Sequence, residues 1–184
     1  MPAAPRRWAA ELLHFWFHRL KPQDWFGGGP HVDDALRKRF EPDLLALYTT
    51  PADNFLTDPL NARAAILLFD QLPRNLYRGT AECFAFDSTA RHICREALAR
   101  GWDSGLGRTE RQFMGLPLMH SEHIADQIAS VSYYTALGSA SALDFARSHY
   151  RMVARFGRFP HRNAVLGRAS TPAELSAIEA GNHW

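Results

Sequence analysis

Apolar residues along this chain recur every three or four positions, and glycine or proline punctuates the runs, a pattern that helices satisfy and strands do not. Trp8, Leu12, Phe15 and Trp16 share one helical face. Leu36, Phe40, Leu44 and Leu47 form a second stripe over residues 32–48, where Pro42 should kink or split the helix. Gly27, Gly28, Gly29 and Pro30 separate the two. After a loop over 49–57, Asp58 and Pro59 match an N-cap and first helical position, opening a strongly apolar helix through Ile66, Leu67 and Phe69. Pro73 should stop or bend it, leaving 74–79 as a polar turn. Ser88 then caps a helix that Gly101 closes in the left-handed conformation.

Further helices are expected over 108–116, ended by Pro117; over 120–137, ended by Gly138; and over 141–156, opened by Ser141 and closed by Gly157. Thr171-Pro172-Ala173-Glu174 matches a capping box with proline in the first turn. No alternating run long enough for a strand is present. The 184 residues, 46% of them hydrophobic, suit one all-α domain spanning 1–184.

A net charge of +2 is too mild to make the chain a nucleic-acid binder by composition. The distribution is uneven, since residues 145–173 hold no Asp or Glu but contain Arg147, Arg151, Arg155, Arg158, Arg162 and Arg168. Nucleic acid therefore stays a minor reading. Cys83 and Cys94 are spaced for neither a redox pair nor a zinc knuckle and read as buried thiols of a cytoplasmic protein. His14, His18 and Glu11 interrupt the one apolar stretch near the N-terminus, so neither a signal peptide nor a membrane anchor is expected.

Three turns concentrate the chemistry. In the first, Asp70 and Arg74 are four apart and face one another if the helix survives Pro73; Asn75 and Arg78 follow. Asp70 either orients Arg74, with Asn75 capping the break, or the set contacts a ligand. In the second, His120, Ser121, Glu122 and His123 precede Asp126. Neighbouring helical side chains diverge too far to form a triad, although His120 with Glu122 suits acid–base work, and His120 with His123 could share a metal if other ligands join. In the third, Arg155, Arg158, His161, Arg162, Asn163 and Arg168 surround Gly157 and Pro160. Their forked donors could enclose an anion, or Asp70, Glu122 and Asp126 could neutralise them in a bracing network.

Residues 69–75 echo 156–163, through either duplication or shared turn mechanics. His14 and His18 read as packing, and the glycines at 27–29 lack a phosphate-loop context.

Phe15-Trp16-Phe17, Trp25-Phe26, Asp70-Gln71-Leu72-Pro73-Arg74-Asn75 with Arg78-Gly79, Leu116-Pro117-Leu118-Met119-His120-Ser121-Glu122, and residues 155–163 continuing to Leu166-Gly167-Arg168 together resemble the bacterial domain-of-unknown-function 924 family over about 12–174. The resemblance implies a tetratricopeptide-like superhelix of stacked antiparallel hairpins and no established activity. His123 stands where that family usually carries an acid, and His14 and His18 fall outside its pattern.

The expectation is a polar pocket in which Arg74, Arg78, Arg158 and Arg162 hold an anionic small molecule, with His120, Glu122 or His161 for acid–base work and no cofactor or metal. The competing expectation is a non-enzymatic module that receives a peptide or protein in a helical groove.

Overall fold

The computed structural model describes residues 7–26 and 29–181; Gly27, Gly28 and the start of the N-terminal stretch lie outside it. Helix α1, Arg7–His14, buries Ala9, Leu12 and Leu13, then widens into a π turn, Phe15–Arg19, that carries Trp16 inward. A single turn, α2 (Pro22–Trp25), precedes α3 (Pro30–Leu47). Pro42 does not split α3. It has no N–H to offer the Lys38 carbonyl, but both residues are exposed, and a single lost bond on the solvent side is tolerable.

Helix α4 (Pro59–Ile66), a π turn (Leu67–Gln71) and α5 (Leu72–Leu76) form one continuous helical run. Asp58 caps it through Asn61 N–H. Pro73 was expected to stop or bend this run, with a polar turn from residue 74; the run continues, and the turn begins only at Tyr77. Just ahead of the proline, Leu72 N–H bonds five residues back to Leu67 O, and the widened turn gives room to a residue that has no N–H and a bulky ring.

Helix α6 (Asp87–Ala99) starts two residues earlier than a cap at Ser88 suggested, with Phe86 at the cap. Gly101, at φ +68°, closes it: its own N–H meets Leu98 O and that of Trp102 meets Ala97 O. Helix α7 (Arg108–Met119) runs through Pro117, which sits in the last turn and deletes a single bond. Helix α8 (Ile124–Leu137) begins after His123, so His120, Ser121 and Glu122 lie in a link rather than on a helix. Helix α9 (Ala140–Phe156) follows Ser139 rather than starting at Ser141, and ends at Gly157. Thr171 and Glu174 form both bonds of the expected capping box at α10 (Pro172–Glu179).

The chain is all-α, with no strand among the described residues. Helix α6 packs on α4 and α7, and α8 lies between α7 and α9. Phe113 anchors the aromatic core, with Trp16, Phe17, Trp25 and Phe26 centred 5.2–5.7 Å from its ring. A smaller apolar cluster of Met152, Val153, Phe159 and Ala177 ties α9 to α10. No helix among the described residues is long and apolar enough to cross a membrane.

Helices α7 and α8 approach closely at Gly115, where an added Cβ would lie 2.5 Å from the Tyr133 ring. That ring cannot swing freely, because the Tyr133 hydroxyl donates to Arg111 O. Crowding of this kind costs about 1–3 kcal/mol and exceeds the gain of roughly 1 kcal/mol that alanine brings to a helix. Gly115→Ala should therefore lower the urea unfolding midpoint at unchanged helical content.

Candidate functional site

A carboxylate in the core is the starting point. Asp70 sits on the π turn, 1% exposed. His120, the cap of α7, places Nδ1 2.8 Å from its Oδ1, and Gln71 Nε2 donates to Oδ2 at 2.6 Å. Arg74, one helical turn on, lies 3.3 Å from Oδ1 and donates to the Asp70 carbonyl at 2.6 Å. Burial by itself would raise the Asp70 pKa, but Arg74 and His120 outweigh it and hold the carboxyl well below its ordinary value. An ionised carboxylate only accepts, so His120 Nδ1 carries the proton and Nε2 the lone pair.

His120 Nε2 has no hydrogen-bond partner among the described residues, and it is not among the buried unpaired atoms; 16% of the side chain stays exposed. Burial, opposed by Asp70, lowers the His120 pKa, so the imidazole is neutral at pH 7.

Asp87, the first residue of α6, joins the arginines. It accepts Arg74 through two parallel bonds of 2.8 and 2.9 Å and Arg162 at 3.2 Å. Arg162 also donates to His120 O at 2.9 Å. Its guanidinium lies 4.4 Å from the centre of the Phe84 ring and 4.6 Å from that of Phe159. With 7% of its side chain exposed, burial pushes the Arg162 pKa down to about 10. Arg162 Nε is buried without a partner. His149, on α9, stands 6.3 Å from the His120 ring and donates Nδ1–H to Phe145 O; burial takes its pKa down to about 3.

The remaining predicted residues fall elsewhere. Glu122 accepts both Nη groups of Arg168, at 2.8 and 2.9 Å, and the Phe159 N–H; it therefore serves the third turn and is not bonded to His120. Arg158 forks onto Glu174 at 2.6 and 3.0 Å and is not part of the His120 cluster. Arg78 pairs with Asp33 and with Asn75 Oδ1, while Asn75 Nδ2 donates to Gln71 O. Asn163 Nδ2 donates to Ser170 Oγ. His161 packs its ring 5.7 Å from Phe159, and Arg155 stays exposed over Phe156.

Asp126 neutralises none of the third turn's arginines. It is fully buried and takes Arg91, Arg95 and Ser121 instead. His120 and His123 occupy a link rather than one helical face, and His14 and His18 stack 5.3 Å apart. No group of three or more metal-type ligands occurs among the described residues.

The echoing segments 69–75 and 156–163 have different backbones, a π turn against a helix end with a short 3₁₀ turn (Pro160–Arg162). They nevertheless converge on shared partners: Arg74 and Arg162 both bond Asp87, and Asp70 and Arg162 both bond His120. Asp87 and His149 were not singled out from sequence. An acid opening a helix, as Asp87 does, is the only local sign of the first; His149 looks like any residue of the buried face of α9.

Asp70→Ala should cost about 3–5 kcal/mol in urea unfolding, because it strands the buried Arg74 and His120, whereas Asp70→Asn should cost less. His149 has a folded pKa below its unfolded one. As pH falls from about 6.5 to about 3, the unfolded chain takes up a proton that the folded chain refuses, and stability declines by roughly 1 kcal/mol per pH unit. His149→Phe should flatten that acid-side slope while leaving stability at pH 7 to 8 nearly unchanged.

The profile of a family described as bacterial proteins of unknown function, DUF924, matches residues 12–182. The solved structure of a protein of unknown function, ATU0120 from Agrobacterium tumefaciens, is 37% identical in sequence with a TM-score of 0.88, over 94% of this chain and 97% of that one. No curated protein matches the chain. The fold and the nearly full-length match agree, and the chain belongs to the DUF924 family of bacterial proteins.

Proposed function

We propose that this protein binds a small anionic molecule beside His120, with His120 Nε2 as proton acceptor and unclaimed N–H groups of Arg74 and Arg162 as oxyanion donors. The state of His120 carries this reading: Nδ1 is held by a buried carboxylate while Nε2 is unpartnered and open to solvent. A neutral imidazole of fixed tautomer is what a general base needs near neutral pH. Arg162 supports the other half. Two of its five N–H groups bond to Asp87 and His120 O, which leaves Nη hydrogens beside His120 uncommitted.

The ligand site is narrower than the motif. Arg74 and Arg162 sum with Asp70 and Asp87 to zero charge, so directed N–H groups rather than a positive field recognise the anion. We assign Arg78, Arg158, Arg168, Asn75, Asn163 and Glu122 to bracing, since each is committed to a protein partner. His161 and Arg155 have no role in this reading. We further infer a tetratricopeptide-like stacking of α6 to α9, from their neighbour-to-neighbour packing, and a cytoplasmic setting, from two buried free cysteines.

The test is the His120 Cε1–H signal in proton NMR during titration with inorganic phosphate. Phosphate should shift the signal and raise the His120 pKa, and Arg162→Gln should abolish the response. An unresponsive signal in the folded wild-type protein would leave the cluster a purely structural network.

A further inference from the structure

The basic stretch over residues 145–173 divides on folding. Arg158, Arg162 and Arg168 are consumed by Glu174, Asp87 and Glu122. Arg147, Arg151 and Arg155 stay exposed on α9, one turn apart, and the acid in contact with them is Asp144, 3.8 Å from Arg147 and itself 77% exposed. Alongside runs an apolar row on α8. Ile124 and Ile128 are 45% and 57% exposed, and Val131 continues the same face.

Gly138 and Ser139 alone join the two helices, which therefore run antiparallel, and a groove of about 410 Å³ opens between them, lined by Ile128, Val131, Arg147, Tyr150 and Arg151. The same register carries the rows on to Ile124 and Arg155 at the open end. Helix α8 has one acid, Asp126, and it is buried among Arg91, Arg95 and Ser121, so nothing negative faces the groove from that side.

We propose that the α8–α9 groove docks an acidic amphipathic helix of a partner protein. Apolar side chains of the partner, at spacings of three and four, rest on Ile124, Ile128 and Val131, while its Asp or Glu residues on the flank meet Arg147, Arg151 and Arg155. Charge complementarity with a one-sided arginine row selects an acidic partner and sets its direction. Tyr150 is the single aromatic in the lining, one ring rather than the series of stacking platforms that a single strand uses, which counts against single-stranded nucleic acid. A concave groove cannot insert its apolar row into a bilayer, which counts against a lipid surface. The groove shares no residue with the His120 site, so either proposal can fail alone.

The probe is a fluorescent synthetic peptide helix with Leu at i, i+4 and i+7 and Glu along one flank; its control has Lys in place of every Glu. The Glu peptide should bind the full chain. Arg147→Glu with Arg151→Glu should weaken it at least about tenfold and improve binding of the Lys peptide. All of these positions are exposed, so the melting curve should not move, and Ile128→Ala offers a second, charge-neutral variant that should also weaken binding. Equal binding of Glu and Lys peptides, no binding of either, or tighter retention of single-stranded DNA or of phosphatidylserine vesicles would overturn the proposal.

Discussion

A charge in the interior must be answered, and in this protein the answer to Asp70 organises the structure around it. Its carboxylate is 1% exposed and gathers groups from its own helix and from the end of α7. None of those groups can leave without stranding the rest, because an unpaired buried charge costs far more than a surface pair is worth. The π turn that carries Asp70 is also the device that lets the helix pass Pro73. One local widening thus sets both the continuity of the central helix and the direction of Arg74.

The same logic extends outward through Asp87, Glu122, Asp126 and Glu174. Each takes one or more arginines from a segment distant in sequence. These pairs say where elements sit relative to one another, since a guanidinium fork meets a carboxylate only in a narrow geometry. The chain thereby pins the irregular stretch after α9, which has little apolar surface beyond the cluster around Phe159. What is left over is informative. A base with a free lone pair at His120 and an arginine row along α9 are among the groups that the internal pairing leaves open in the described residues.

Much of the fold was legible locally because its signals are local. Asp58 with Pro59, Thr171 with Glu174, and glycines 101, 138 and 157 act within a turn of the chain, and each stands where it was expected. Prolines misled for the same reason. Pro42, Pro73 and Pro117 break bonds that solvent, a π turn or a helix end could forgo, and that tolerance depends on surroundings several residues away. At the candidate site, Asp70, Arg74, His120 and Arg162 stood out by type. Asp87 and His149 did not, because nothing in their neighbours marks an acid or a histidine that will be met by another helix.

By itself the sequence determined an all-helical chain of the DUF924 family, the ends of most helices and the residue types available for chemistry, since periodicity, caps and motifs are properties of short segments. Only the tertiary structure decided which carboxylate each arginine received, that His120 turned to Asp70 rather than Glu122, and which cations stayed outside. Those choices join residues up to 75 positions apart, and such pairing is fixed by how helices pack, not by what stands next to what.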